Sequence, residues 1–379
     1  MRVCGFIIPH SIAMPFRTAG TFASGDHDAV CILSDFEPDD VVAIKLLAPR
    51  LRGVPLLLVV GEGDVDKREL GAAILASYGL DKDLTVVQGK QSKLSYPTDA
   101  LKAYSRSAHA ATIAPLTQDA TAAIEAFLAA AGFPFALVLK PPHELTGVSA
   151  ASRAKTVCAM YGSFNLVCYR DCLGAPDEAA AWAQQEALLA SFKSCLLVER
   201  STSVGRDATV DSGSADVWPW LQRDAPLMST LEAWNRTTLV NHAKKIVRFG
   251  EEVERAFGGA DGGGAATFSS IASGLSGVEK KLAIFRSIVD FDGQQCCLAD
   301  PLVAVGVADV AGLLSPYVMR CRVGHSGGDA SKGAGIKLTL TEDETSPVWV
   351  MRTSGAAQQE EMVQQVRRAL VALSKEDAA

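Results

Sequence analysis

The chain alternates between short apolar runs and amphipathic stretches through most of its length. Runs rich in Val, Ile and Leu occupy residues 29–33, 54–60 and 135–139. Near-continuous runs of this length predict strands that are buried on both faces of a parallel sheet. Residues 41–48 and 67–78 repeat apolar positions at helical spacing, which predicts helices between the strands. This strand–helix order indicates an α/β fold, doubly wound, with a mostly parallel central sheet.

The pattern changes after residue 200. Residues 201–290 are predicted to be mainly helical and to form an insertion in the fold. Three later segments alternate apolar and polar positions, which predicts short C-terminal antiparallel strands at 318–323, 336–340 and 348–351. An amphipathic helix is predicted near the C-terminus, over residues 358–373.

The first apolar run ends abruptly in an acidic turn with the sequence Asp35-Phe-Glu-Pro-Asp39-Asp40. Pro38 stands where the first turn of a helix tolerates proline. Ligands of open α/β sheets bind at the carboxyl ends of the strands, so we expect the three aspartates to converge there. Carboxylates so near to one another repel, which favours a hard divalent cation between them. The alternative is a solvated acidic turn that interacts with the positive end of the helix dipole.

Composition narrows the classes of function. The 379 residues are 48% hydrophobic and 21% charged, which allows a large core. A net charge of −7 without a basic block predicts no nucleic-acid partner, and no apolar run is long enough to predict a membrane span. The nine cysteines are scattered without zinc-binding spacing, which predicts reduced, mostly buried thiols in a cytoplasmic protein. The alternative is targeting to an organelle, because residues 1–25 contain two arginines and no acidic residue.

Two motifs resemble those of the nucleoside hydrolases of the inosine/uridine-preferring type. The family's N-terminal Asp-x-Asp-x-Gly-x-Asp-Asp motif is similar to the run from Leu33 to Asp40, with Leu33 at the first aspartate and Glu37 at the glycine. Its second motif, His-Asp-Pro-Leu-Ala, is similar to Ala299-Asp300-Pro301-Leu302-Val303. Two motifs in the right order, about 260 residues apart, are more specific than either alone. We therefore predict an N-terminal extension over residues 1–27 and a single nucleoside hydrolase-like domain over 28–375.

The resemblance implies a calcium-dependent N-ribohydrolase. Such an enzyme hydrolyses the N-glycosidic bond of a ribonucleoside or related riboside with a calcium-bound water that an aspartate cluster activates. The implied calcium ligands are Asp35, Asp40, Asp300 and the carbonyl of His143, and Asp35 is the implied general base. Asp39 and Asp64 are the implied ribose ligands, to which Asn165 is added as a candidate sugar contact. A small-molecule riboside substrate, a role in purine or pyrimidine salvage and a homo-oligomer complete the expectation.

The sequence departs from the family at the base-binding half of the site. The histidine that is often assigned to protonation of the leaving group is replaced by Ala299. His143, His109, Tyr104 and Tyr169 are candidates for a substitute acid. Two other functions stay open: a nucleoside- or nucleotide-binding protein with weak or no turnover, and a metal-dependent phosphohydrolase. The latter needs a lysine and a Ser/Thr at later strand ends, where the sequence offers Lys140.

Overall fold

The computed structural model describes a large part of the chain, in several separate stretches. They are residues 15–18, 22, 25–61, 66–90, 109–162, 178–199, 210–211, 227, 297–298, 300–326, 337–351 and 356–376. The predicted helical insertion at 201–290 lies outside the described residues except for 210–211 and 227. Its helical character therefore stays a prediction.

The described strands and helices follow the predicted order closely. The strands are β1 (Phe16–Thr18), β2 (Gly25–His27), β3 (Ala29–Ser34), β4 (Leu56–Val60), β5 (Leu84–Gln88), β6 (Thr112–Ile113), β7 (Pro134–Val138), β8 (Val157–Gly162), β9 (Ser194–Glu199), β10 (Val210–Asp211), β11 (Cys297–Leu298), β12 (Val318–Ser326), β13 (Lys337–Glu342) and β14 (Val348–Met351). The α-helices are α1 (Pro38–Leu51), α2 (Arg68–Ser77), α3 (Ala120–Ala130), α4 (His143–Thr146), α5 (Ala150–Lys155), α6 (Glu178–Ser191), α7 (Pro301–Ala308) and α8 (Ala356–Glu376). None of these helices has the length and apolar character that crossing a membrane requires.

Ten of the strands form one mixed sheet in the order β13-β12-β14-β9-β8-β7-β3-β4-β5-β6. Every neighbouring pair from β14 to β6 is parallel. Strand β12 is antiparallel to both β13 and β14. The predicted fold class is confirmed: a doubly wound, mostly parallel α/β sheet with short antiparallel strands from the C-terminal part. The alternation in residues 348–351 did not reveal that β14 joins β9 in parallel.

The direction of winding reverses at β3. The chain proceeds from β3 to β4, β5 and β6 on one side and then returns to place β7 on the other side. Leu33 is paired with Val59 in β4 and with Val138 in β7. Ligands of doubly wound sheets bind in the crevice at the carboxyl ends of the two strands that flank such a switch point. The acidic turn after β3 lies at this position.

Both faces of the sheet are covered, which explains the unbroken apolar run of β3. Val30 and Ile32 belong to a core shared with α1, α7 and α8, whereas Cys31 and Leu33 belong to a core shared with α3 and α6. Cys31, Cys158, Cys195 and Cys321 are buried free thiols, which agrees with the prediction that most of the cysteines are buried.

Helix α7 lies unusually close to the sheet. All eight of its residues are buried, and a Cβ at Gly306 would come within 2.9 Å of Leu196 in β9 and of Met351 in β14. A side chain there would force the helix or the Leu196 and Met351 side chains to shift. Arg50, near the end of α1, donates to the carbonyl of Ala308 at 3.1 Å and to Glu376 of α8 at 2.8 and 2.9 Å. Arg50 thus joins α1, α7 and α8 at the end opposite the acidic turn.

Strands β1 and β2 form a separate antiparallel pair against the first core. Phe16 and His27 are fully buried, and both rings contact Phe135 of β7 edge to face, with centroids 5.1 and 5.0 Å away. The described part of the N-terminal extension therefore packs on the sheet. The domain boundary at residue 27 stays a prediction.

Candidate metal centre

Three buried carboxylates meet at the carboxyl end of β3. Asp39 and Asp40 lie in the first turn of α1, and Asp300 directly precedes α7. One oxygen from each lies within 4.8 Å of the others, and the three residues are 4%, 1% and 4% exposed. Calcium–oxygen distances of about 2.3–2.6 Å allow two ligands of one ion to lie up to about 5 Å apart. The donor set therefore fits a hard divalent cation.

Asp35 lies beside this triplet. Its side chain shares a hydrogen bond with Asp40, and its Oδ1 accepts a 3.4 Å hydrogen bond from the amide of Glu37. Burial raises the pKa of Asp35, and the ammonium of Lys67 acts against that rise. The group of oxygens within 4.8 Å contains Asp39, which the motif predicts as a ribose ligand, and does not contain Asp35. The metal-ligand and base roles of Asp35 stay predictions.

Asp40 and Asp300 are held close to other carboxylates, which repel their negative charge. Burial, and then the charge of Asp35, raises the pKa of Asp40 well above its usual range. The pKa of Asp300 is raised in the same way by burial and then by the charge of Asp39. A divalent cation among these oxygens would act in the opposite direction, because it stabilises every ionised carboxylate around it.

A network of hydrogen bonds shapes the turn after β3. Ser34 Oγ donates to Asp40 Oδ1 at 2.7 Å and accepts from the amide of Phe36 at 3.0 Å. Phe36 has a φ of 57°, a left-handed conformation that is uncommon for an aromatic residue. Its fully buried ring lies 3.0 Å from where a Cβ of Gly71 would be, so the glycine makes room for it. In this turn the side chains of Asp35 and Asp40 are hydrogen-bonded to each other.

Helices α1 and α7 both have their N-terminal ends at the site. The Asp300 side chain makes no capping hydrogen bond to the described first turn of α7, because it is directed toward the cluster. Pro301 begins that helix, and Pro38 begins α1. The positive ends of both helix dipoles favour negative charge here, which offsets part of the repulsion.

A buried ion pair lies at the adjacent strand end, just after β7. Lys140 Nζ lies 2.7 and 3.0 Å from the Glu144 carboxylate oxygens, and Glu144 Oε1 also accepts from the amide of Lys90 at 2.8 Å. A Cβ at Gly61 would come within 2.8 Å of Lys140, and one at Gly89 within 2.4 Å of Glu144. Two glycines are therefore needed for this pair to fit between the strand ends. Because its charge is matched by Glu144, Lys140 is poorly suited to bind the phosphate of a phosphohydrolase substrate.

The remaining predicted site residues are placed unequally. The His143 carbonyl accepts a 2.7 Å hydrogen bond from Thr146 Oγ1, and because a carbonyl has a second lone pair its role as a ligand stays a prediction. Asp64, Asn165 and Ala299 lie outside the described residues. Among the other candidate acids, His109 pairs with Glu69 at 3.1 Å, and Tyr104 and Tyr169 lie outside the described residues.

Two residues of the site were missed by the sequence analysis. Ser34 has the pattern of an ordinary end-of-strand residue, and Lys67 that of a surface lysine before a helix. Lys67 is instead 4% exposed and donates to the backbone carbonyl of Asp35 at 2.5 Å. No spacing in the sequence indicates this contact, because it joins the ends of two different strand–helix units.

Comparisons with known proteins identify similar structures. The inosine-uridine preferring nucleoside hydrolase from Bacillus anthracis is 13% identical, with a TM-score of 0.45, and the match covers 91% of this chain and 99% of that one. An inosine-guanosine nucleoside hydrolase is 13% identical, with a TM-score of 0.43, and the match covers 91% of this chain and 98% of that one. The purine-preferring ribonucleoside hydrolase from Gardnerella vaginalis is 10% identical, with a TM-score of 0.44, and the match covers 91% of this chain and 99% of that one. No protein-family model and no curated protein sequence matches the chain. The three names are those of the family whose motifs the sequence resembles, and no activity or ligand of this chain follows from a likeness of this degree.

Proposed function

We propose that this protein hydrolyses the N-glycosidic bond of a ribonucleoside or related riboside at the acidic cluster, with calcium as its cation. The observation that carries the proposal is the meeting of Asp300 with Asp39 and Asp40, from the two sequence motifs, within 4.8 Å at the switch point of the sheet. Neither motif alone predicts that contact. Turnover of nucleosides would place the protein in purine or pyrimidine salvage.

In this proposal the buried aspartates share the work of binding and catalysis. Asp40 and Asp300, with Asp35 or Asp39 and the His143 carbonyl, would hold the cation. Calcium, when bound, supplies a Lewis acid that coordinates vicinal hydroxyls and lowers the pKa of water. Asp39 and Asp64, with Asn165, are the proposed hydrogen-bond partners of the ribose.

Asp35 is the proposed general base. It is 7% exposed, so a proton moved to its carboxylate is shielded from bulk water. Its Oδ1 accepts a 3.4 Å hydrogen bond from the amide of Glu37, which favours one orientation of the carboxylate, as a base requires. The surrounding carboxylates also stabilise the positive charge that develops on the sugar ring when an N-glycosidic bond breaks.

The experiment is a measurement of free-base release by the purified protein with calcium. The panel is inosine, uridine and nicotinamide riboside, and the variant is Asp35→Asn. Loss of a positioned general base is expected to lower kcat/KM by about 10²-fold or more. The control is Asp28→Asn, at the other end of the same strand, where the carboxylate accepts from the amides of Gly132 and Phe133 at 2.7 and 2.9 Å. Asp28→Asn is expected to leave kcat/KM within a few-fold of wild type.

Three results would redirect the assignment. Calcium and ribose binding without any base release would identify a binding protein that has lost turnover. Phosphate release from sugar phosphates or nucleotides, without base release, would identify a phosphohydrolase. An Asp35→Asn variant as fast as wild type would remove Asp35 from the role of base.

A further inference from the structure

Lys67 brings a positive charge into the acidic centre from outside either motif. The residue directly precedes α2, at the carboxyl edge of the sheet next to β3. Its ammonium donates to the backbone carbonyl of Asp35 at 2.5 Å, and the side chain is almost completely buried.

Burying an ammonium is costly unless nearby negative charge compensates for it. The negative charge nearest to this contact is the acidic cluster: Lys67 contacts the backbone of Asp35, the residue beside the Asp39, Asp40 and Asp300 carboxylates, which lie within 4.8 Å of one another. The Lys140 ammonium, at the neighbouring strand end, is compensated by Glu144 at 2.7 Å. Lys67 thus reduces the net negative charge of the site without serving as a ligand.

We propose that Lys67 is a built-in counter-cation of the acidic centre, which holds the folded turn together before a metal binds and lowers the affinity of the site for divalent metal. Both effects follow from one charge. The ammonium attracts the aspartates when no metal is present and repels a divalent ion when one enters. The inference rests on the proposed metal centre, and it concerns metal affinity and not the substrate.

The test compares three substitutions at position 67 by titration calorimetry with calcium and by thermal unfolding with calcium or chelator. Lys67→Arg keeps the charge, Lys67→Gln keeps a hydrogen-bond donor without the charge, and Lys67→Met keeps neither. A unit charge within a few ångströms of a divalent ion changes its binding by at least about tenfold, even at the higher effective dielectric of protein sites. We expect Lys67→Gln to bind calcium about tenfold more tightly than wild type and to gain more in Tm from calcium. Lys67→Arg is expected to stay close to wild type in both measurements.

The matched control is Lys155→Gln. Lys155 also donates to backbone carbonyls, those of Ala129 and Ala131 at 2.9 and 2.6 Å, but at the end of α3 and away from the cluster. Its removal is expected to lower Tm equally with and without calcium and to leave the calcium Kd unchanged.

The outcomes separate this inference from the proposed reaction. The counter-cation role is wrong, and Lys67 is a packing residue, under either of two results. In the first, the Tm of Lys67→Gln and Lys67→Met lies below that of wild type by the same amount with and without calcium. In the second, the two variants bind calcium no more tightly than wild type. A wild-type protein and variants that all fail to bind calcium would also overturn it. Tighter calcium binding by Lys67→Gln in a protein that releases no base from any riboside would support the counter-cation and remove the proposed hydrolysis.

Discussion

Ser34 Oγ donates a 2.7 Å hydrogen bond to Asp40 Oδ1, so the last residue of β3 directly orients a carboxylate in the first turn of α1. The same hydroxyl accepts from the amide of Phe36, the residue with the left-handed backbone. One small side chain therefore couples the strand, the turn and the helix at the candidate metal centre.

Replacing that hydroxyl is expected to weaken both folding and calcium binding. Ser34→Ala leaves the buried Phe36 amide without its acceptor, which costs about 1–3 kcal/mol of unfolding free energy. Asp40 also loses the group that fixes its rotamer, so we expect the calcium Kd to rise several-fold, measured by calorimetry. Ser152→Ala is the matched control, because Ser152 is also buried and donates to a carboxylate, Glu125, at 2.6 Å. A calcium Kd that rises equally in the two variants would contradict the role of Ser34.

Removing the charge of Asp300 is expected to abolish stabilisation by calcium. A ligand that binds the native state stabilises it by roughly 2.7 kcal/mol at a hundredfold excess over Kd, which thermal unfolding detects as a higher Tm. Asp300→Asn should show no such shift. Asp309→Asn, at the other end of α7, is the control: its carboxylate accepts from the amide of Leu314 at 2.8 Å, so the variant should be less stable and still respond to calcium.

A second prediction concerns the stability of Asp300→Asn in the presence of chelator. Without a cation, Asp300 adds to the repulsion that raises the pKa values of the cluster. Asp300→Asn should therefore be at least as stable as wild type when calcium is removed, and less stable when calcium is saturating. A wild-type Tm that is the same in calcium and in chelator would count against the metal centre.

Ala299 predicts an unusual ranking of substrates. A purine or uracil leaves poorly as an anion, and general acid assistance is typically worth 10²–10⁴-fold. Nicotinamide leaves its riboside as a neutral molecule, and 4-nitrophenolate is a good leaving group without protonation. We expect kcat/KM for these two ribosides to exceed that for inosine by about tenfold or more. Inosine turned over equally fast would mean that a proton donor such as His143 or His109 replaces the missing histidine.

His27 predicts how stability depends on pH below neutrality. Its ring is fully buried, stacks on Phe133 with centroids 4.5 Å apart and hydrogen-bonds to Thr18 Oγ1 at 3.1 Å. Burial lowers the pKa of His27 from 6.5 to about 4. Between these values the unfolded chain binds the proton and the folded chain does not, so stability falls as the pH falls from 6.5 toward 4, by up to about 3 kcal/mol from this group.

His27→Phe removes the titrating group and keeps an aromatic ring against Phe133. Its unfolding free energy, measured in denaturant, should depend less on pH than that of wild type between 6.5 and 4. Thr18→Val removes the hydrogen-bond partner and keeps the histidine, so its pH dependence should follow that of wild type. Parallel pH curves for wild type and His27→Phe would show that His27 is not buried in the neutral form.

Arg50 is expected to influence the metal centre from the far ends of the helices. It joins the end of α1 to the Ala308 carbonyl of α7 and to Glu376 of α8, while the other ends of α1 and α7 carry the aspartates. Arg50→Met should lower the unfolding free energy by about 1–3 kcal/mol through the lost charged hydrogen bonds and weaken calcium binding modestly. Glu376→Gln keeps the bond to Ala308 and removes a partly exposed ion pair, so its effect should stay at about 1 kcal/mol or below. Equal losses in the two variants would show that the bond to Ala308 contributes little.

The sequence predicted the strands, the helices and the position of the acidic turn because each leaves a local pattern. Burial on both faces makes β3 an unbroken apolar run, and the doubly wound order places its carboxyl end at the switch point. Asp300 was predicted as a metal ligand through a second motif. Its carboxylate lies within 4.8 Å of those of Asp39 and Asp40, and its role as a ligand stays a prediction.

Contacts between distant segments left no such pattern. Lys67 reaches Asp35 from another strand–helix unit, and the parallel pairing of β14 with β9 gives the same alternation as an antiparallel pair. The left-handed Phe36 was also unpredictable, because a glycine usually occupies such a position and the matching space is provided by Gly71 instead.

Helix α7, which packs closely against β9 and β14, is synthesised late, and this order limits when the site can form during synthesis. Asp39 and Asp40 leave the ribosome early, whereas Asp300 follows about 260 residues later. A nascent chain that has produced β3 to β9 already contains the parallel strands around the switch point, but the face that α7 will cover is still open. The third carboxylate and the helix that closes this face arrive together, since Asp300 directly precedes α7. A ribosome-bound chain should therefore gain calcium-dependent protection from proteolysis only after the segment containing α7 has emerged.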